Sequence, residues 1–218
     1  MTLLHHEDLN EALPATLPER LVITPLLDHR QIGPASIDLR LGTNFLFLRR
    51  TERAGLDPGD PRVGTELQGI HERLTVPLGS PLWLHPGHFL LGSTLEFVRM
   101  PPALAGFLLG RSSWARVGLV VETAGLVQPG YAGTLTYELV NSGDSPIALY
   151  PGLRVAQLAV YRLPGPTRHA QLSEEDRYPA KYLAAVGPET SRAWEDEEMA
   201  KVLELGEALK GRPEPAGE

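Results

Sequence analysis

Between about residue 80 and residue 161 the chain is cut into short apolar runs by closely spaced turn formers. The punctuation is Pro86-Gly87, Pro129-Gly130, Asn141-Ser142-Gly143-Asp144 and Pro151-Gly152. Strand, tight turn and strand at this pitch specify an antiparallel sandwich or barrel. No helix alternates with these strands, which argues against a doubly wound parallel sheet. Upstream, Ile37, Leu39 and Leu41 alternate with Ser36, Asp38 and Arg40, so residues 36–41 read as a half-buried strand. Asp38 and Arg40 share its polar face, where they can pair. Residues 21–23, 44–50, 83–84, 89–92 and 94–98 read as further strands, and residues 51–75 as a polar, turn-rich excursion.

The cleanest alternation is Thr134-Leu135-Thr136-Tyr137-Glu138-Leu139-Val140. Leu135, Tyr137 and Leu139 point one way; Thr134, Thr136 and Glu138 point the other. Glutamate is disfavoured in mid-strand, so Glu138 either faces solvent or serves chemistry.

Helices are few. Residues 7–13 form a short one ended by Pro14, and residues 191–210 form a C-terminal one with an acidic start at 195–198. The stretch Gly110-Arg111-Ser112-Ser113-Trp114-Ala115-Arg116-Val117-Gly118 predicts a helix over 114–117, capped by Ser112 or Ser113 and closed by Gly118. Free N–H groups beside Arg111, with Gly110 allowing close approach, make this stretch a candidate phosphate cradle.

The 218 residues are expected to form one large domain over 1–190 and a helical extension with a tail over 191–218. A formal charge of −7 argues against a nucleic-acid coat. The absence of cysteine excludes a thiol nucleophile and any cysteine-ligated metal, including the zinc of nucleobase deaminases. No run has the apolar length of a membrane span and no signal pattern opens the chain, so a cytoplasmic location without membrane contact is expected. His5 and His6 read as exposed residues, and His85 and His88 as turn-flanking or exposed ones.

Taken in order, these pieces resemble the dCTP deaminase family within the wider dUTPase-like superfamily. The resemblance rests on Pro34-Ala35-Ser36-Ile37-Asp38-Leu39-Arg40-Leu41-Gly42, His85-Pro86-Gly87, the 110–119 stretch and Pro129-Gly130-Tyr131. It continues through Glu138, Asn141-Ser142-Gly143, residues 151–158, Lys181-Tyr182 and Gly187-Pro188. It implies a distorted jelly-roll β-barrel with short peripheral helices, assembled as a homotrimer with sites between subunits. It further implies hydrolytic, zinc-independent conversion of dCTP to dUTP and ammonia, with Mg²⁺ carried by the triphosphate.

On this resemblance Glu138 falls at the general base, Ser112 at the residue that positions the attacking water, and Arg116 at the residue that supports developing charge. Arg111, Ser113, Gln157 and Lys181 fall at triphosphate contacts. Thr136 and Tyr137 lie on a segment whose backbone reads the nucleotide. Gln128 stands where the family has a sugar-contacting Asp, the residue that activates water in dUTPases. A neutral amide cannot accept as a carboxylate does, which weighs against diphosphatase activity. Glu122 stands where deaminases often carry His, and Ala185 where a phosphate-binding Gln is usual. The competing readings are a dUTP diphosphatase, alone or following deamination, and a non-catalytic nucleotide-binding relative.

Overall fold

The computed structural model describes residues 1–49, 55–57, 60, 62–122, 125–165, 184–192 and 198–210. The chain divides into two compact units, Met1–Phe47 with Arg73–Glu189 and Leu48–Glu72 with Thr190–Glu218.

In chain order the elements are β1 (Thr2–Leu3), α1 (His6–Ala12), β2 (Val22–Thr24), a 3-10 turn (His29–Gln31), β3 (Ile37–Arg40) and β4 (Asn44–Leu48). Then come α2 (Val63–Ile70), β5 (His71–Thr75), β6 (Leu82–Leu84), β7 (Phe89–Arg99), β8 (Leu104–Gly110) and α3 (Ser112–Ala115). The last are β9 (Leu119–Glu122), β10 (Leu126–Val127), β11 (Ala132–Asn141), β12 (Ile147–Leu149), β13 (Arg154–Arg162) and α4 (Glu198–Lys210). α1 begins with a reciprocal cap: the His5 side chain accepts from the Asp8 N–H while the Asp8 carboxylate accepts from the His5 N–H.

The fold is mainly β, as expected. One sheet runs β1–β13–β8–β10, with β3 also on β13; the other runs β5–β4–β7–β11–β9, with β2 also on β7. β6 and β12 form a separate pair. A single buried cluster draws on both main sheets, with Leu39, Leu108 and Leu158 from the first and Phe45, Leu90, Tyr137 and Leu139 from the second. β3 and β11 alternate buried and half-buried positions along their whole length, which fixes their register.

Several elements differ from expectation. Residues 89–92 and 94–98 form one strand, β7, because Ser93 and Thr94 are buried in it rather than breaking it. The Thr94 hydroxyl donates to the Glu96 carbonyl at 2.6 Å and accepts from the Leu135 N–H at 2.9 Å, which stitches β7 to β11 across an irregularity in register. β1, β8, α2 and β5 lie where no element was expected. In the second unit, Arg49 pairs with Glu72 at 2.8 Å beside the backbone bond from Arg49 N–H to the Ile70 carbonyl.

Candidate active site

The stretch 110–118 is the crossover between the two main sheets: β8 ends at Gly110 and β9 begins at Leu119. The expected helix over 114–117 is displaced. α3 spans Ser112–Ala115, with extended Arg111 as its N-cap and no side-chain cap bond. Both serines therefore sit in the first turn, exposed, rather than capping it. The cause is the backbone of Arg111. Its N–H donates to the Val155 carbonyl at 3.1 Å, and its carbonyl accepts from the N–H groups of Trp114 (3.0 Å) and Ala115 (3.2 Å). The chain thus turns at Arg111 itself. The Trp114 indole Nε1 donates to the Arg154 carbonyl at 3.0 Å, and an Arg111 guanidinium nitrogen reaches the same carbonyl at 3.3 Å.

Arg116 ends α3 and is exposed. Gly118 then takes φ +92°, and a Cβ there would lie 2.6 Å from the Gly143 nitrogen. The Ser142 N–H donates to the Gly118 carbonyl at 2.8 Å, which seats the crossover on the turn after β11. That turn is itself fixed by Asn141, fully buried, whose Nδ2 donates to the Leu84 and Ser145 carbonyls while its Oδ1 accepts from the Gly143 N–H. His85 and His88 are exposed at the neighbouring turn, with ring centroids 5.8 Å apart.

On β11 the expected alternation is present. Thr134, Thr136 and Glu138 are half-buried on one face, and Leu135, Tyr137 and Leu139 are in the core. Glu138 is neither solvent-facing nor in the core. Its Cα partners are Leu91 on β7 and Glu122 on β9, so its strand is paired on both sides. Asn141 pairs with Leu119, so the crossover docks about 10 Å along the strand from Glu138 at about 3.4 Å per residue. Tyr137 is wholly buried; burial and the charge of Glu96 hold its phenol well above the usual range. Its side chain belongs to the core, leaving only its backbone to face a ligand.

The pairing of Asp38 with Arg40 is not formed. Each finds its partners outside β3 instead. Arg40 pairs with Glu96 at 3.4 Å, and its N–H donates to the same carboxylate at 2.8 Å. Glu96 is fully buried, and burial raises its carboxyl despite the donors around it. Gln31 Nε2 donates both to Glu96 Oε1 and to the Asp38 carbonyl, each at 2.9 Å. With Arg40 taken, the Asp38 carboxylate is left to Arg111 (3.5 Å) and Arg154 (3.2 Å). Gln157 is the Cα partner of Asp38 on one side and of Leu109 on the other. Arg111, Gln157, Asp38 and Arg154 are therefore brought together at one end of the β3–β13–β8 sheet. Sequence reasoning missed Arg154 and the anchoring indole of Trp114, since both act across strands whose register the sequence does not display.

Gln128 is exposed and lies elsewhere. It follows Val127, the Cα partner of Gly106, whereas Arg111 follows Gly110; about 13 Å of strand separates those two levels of β8. Lys181 lies outside the described residues. Among the described residues no group of three or more His, Asp or Glu side chains is placed to hold a metal ion. No described helix is long and apolar enough to cross a membrane.

Known proteins resemble this chain in family and in fold. The dCTP deaminase-like family matches residues 6–163. The chain is 41% identical over 175 residues to the "dCTP deaminase, dUMP-forming" of Dictyoglomus thermophilum, covering 79% of this chain and 87% of that protein. It is 42% identical over 184 residues to the "dCTP deaminase" of Halorubrum lacusprofundi, covering 82% and 86%. Among solved structures, 2'-deoxycytidine 5'-triphosphate deaminase from Agrobacterium tumefaciens shares the fold, with a TM-score of 0.55, 24% identity, and coverage of 73% of this chain and 46% of that one.

Proposed function

This chain belongs to the dCTP deaminase-like family, and from that membership we propose that it removes the 4-amino group of dCTP by hydrolysis. The observation that carries this reading is Glu138, a half-buried mid-strand carboxylate on a threonine-lined face, in a sheet entered by the crossover that bears Ser112 and Arg116.

In this mechanism Glu138 accepts a proton from water as the oxygen bonds to C4 of the cytosine, and passes that proton to the ring nitrogen. Ser112 positions the water, and Arg116 supports the charge that develops as the water adds. Glu138 then takes the remaining hydroxyl proton and gives it to the amine. The C4–N4 bond breaks, ammonia leaves and the uracil carbonyl forms. Arg111, Ser113, Gln157 and Lys181 hold the triphosphate, and the backbone at Thr136 and Tyr137 lines the nucleotide. Mg²⁺ arrives as part of the substrate, chelated by the phosphates.

Gln128 favours dUTP as the product, because its amide cannot activate water for attack on phosphorus. The name of the Dictyoglomus relative favours a second reading, in which the reaction continues to dUMP. The separation of Gln128 from Arg111 along β8 supports a site assembled from different copies of the chain, as in a homotrimer. Such an enzyme would work in the cytoplasm on free nucleotides. Incubation with dCTP and Mg²⁺, following ammonia and separating dUTP from dUMP, tests the reaction and its end point. Ammonia with dUTP is expected; ammonia with dUMP and pyrophosphate supports the second reading; no ammonia defeats both.

A further inference from the structure

We propose that Arg154 is a second guanidinium of the triphosphate site, held beside Arg111 by their common carboxylate, Asp38. The inference rests on the reading of Arg111 and Gln157 as triphosphate contacts. β13 opens with Arg154, three residues before Gln157, on the strand that separates β3 from β8. Its Cα partner is Arg40, so two like charges stand opposite each other, an unfavourable cross-strand pair unless each is neutralised. The buried Glu96 neutralises Arg40. Asp38 then serves two guanidiniums at once, through Oδ1 to Arg111 Nε and through Oδ2 to Arg154. One negative charge against two positive ones leaves a surplus of one positive charge at this end of the sheet.

Exposure shows which groups face a ligand. The Asp38 side chain is 16% exposed, whereas those of Arg111 and Arg154 are 31% and 35% exposed. The carboxylate is shielded beneath two guanidiniums that still reach solvent. The contacts of Arg154 to Asp38 and to the Arg30 carbonyl run through one terminal nitrogen of a group with five N–H donors. Its own carbonyl receives Arg111 and Trp114, so the two arginines are fixed relative to each other by backbone as well as by charge. A pair of pre-oriented guanidinium forks with a net positive charge fits a polyphosphate better than it fits a closed structural ion pair.

The test is titration with inorganic triphosphate, alongside dCTP kinetics, in the wild type, Arg154→Gln and Arg154→Lys. Arg154→Gln is expected to weaken triphosphate binding at least tenfold and raise KM for dCTP in parallel, with kcat within threefold. Arg154→Lys keeps the charge without the fork and should fall between. Arg154→Gln that binds triphosphate within twofold of wild type overturns the inference. Should that variant fail to fold, arginine Nε–Hε resonances of the unmodified protein decide: triphosphate is expected to shift those of both Arg111 and Arg154, and a shift at Arg111 alone overturns it. Wild-type protein that neither binds triphosphate nor releases ammonia from dCTP overturns the functional reading and this inference together. Wild-type protein that does both, with Arg154→Gln indistinguishable from it, overturns this inference alone.

Discussion

The indole of Trp114 donates to the main-chain carbonyl of Arg154 at 3.0 Å, tying the crossover between the sheets to the first residue of β13. Trp114→Phe keeps much of the ring's packing and removes the donor. The carbonyl retains its bond from Arg111, so the stability loss should be modest, about 1 kcal/mol. Because Trp114 sits in α3 between Ser113 and Arg116, kcat should fall several-fold while KM moves less. Urea unfolding with steady-state kinetics measures both. Lost stability with unchanged kcat would confine Trp114 to holding the fold.

Glu138→Gln keeps the size of the side chain and removes its basicity. Deamination should fall by about 10²–10⁴, the usual contribution of a positioned acid–base group. Affinity for inorganic triphosphate should stay within threefold, since Arg154 and Gln157 lie on β13 in the other sheet. Ammonia release at the wild-type rate would remove Glu138 from the chemistry.

Gln128→Asp puts a carboxylate where the sequence has an amide. If the amide is what stops the reaction at dUTP, the variant should gain dUMP and pyrophosphate as products of dCTP. Product separation by ion-exchange chromatography reads this directly. A product ratio equal to wild type would mean that position 128 does not set the end point.

Gly118→Ala meets two obstacles, a backbone at φ +92° and a Cβ 2.6 Å from the Gly143 nitrogen. Gly79 offers the control, with φ +84° and nothing within 4 Å of a built Cβ. Gly79→Ala should cost about 1 kcal/mol, and Gly118→Ala about 2–4 kcal/mol, with an added loss of kcat. Equal costs in denaturant melts would show that the crossover does not need this close approach.

Burial and the nearby charge of Glu189 push the Tyr131 phenol up to about 12 from its ordinary 10.0. Between those values the folded protein keeps a proton that the unfolded chain has released. Stability should therefore fall as pH rises across that window, by about 1.4 kcal/mol per pH unit from this group. Tyr131→Phe should show a shallower fall, with Tyr137 contributing the remainder in the same direction. Thermal melts from pH 9 to 11.5 test this, and an unaltered slope would assign the loss to other groups.

What the sequence made legible was whatever depends on local periodicity. The strict alternation around Glu138 predicts β11 and separates its two faces, because a period of two is visible without knowing the neighbours. β8 was not visible, since Leu104-Ala105-Gly106-Phe107-Leu108-Leu109 carries no alternation to read. The helix at 112–115 was shifted because serine's capping preference lost to the backbone bond between Arg111 and Val155. Asp38 and Arg40 can pair by sequence but do not, for a similar reason. Two residues apart on one strand share a face, but the charges that settle the matter, Glu96 and Arg154, come from β7 and β13. Ordered motifs disclosed the family; cross-strand partnerships needed the register.

The two halves of the candidate site belong to different sheets, with Arg111, Arg154, Asp38 and Gln157 at the end of one and Glu138 within the other. On the proposed reading, grip on the phosphates and chemistry on the base are separable inheritances. Substitutions around Thr136 and Glu138 can retune which ring is processed without disturbing the pairing of β3, β13 and β8. A lineage built this way can change its nucleobase while keeping its hold on the triphosphate, and a protein engineer seeking a new deaminase from this scaffold would vary β11 and leave β13 alone.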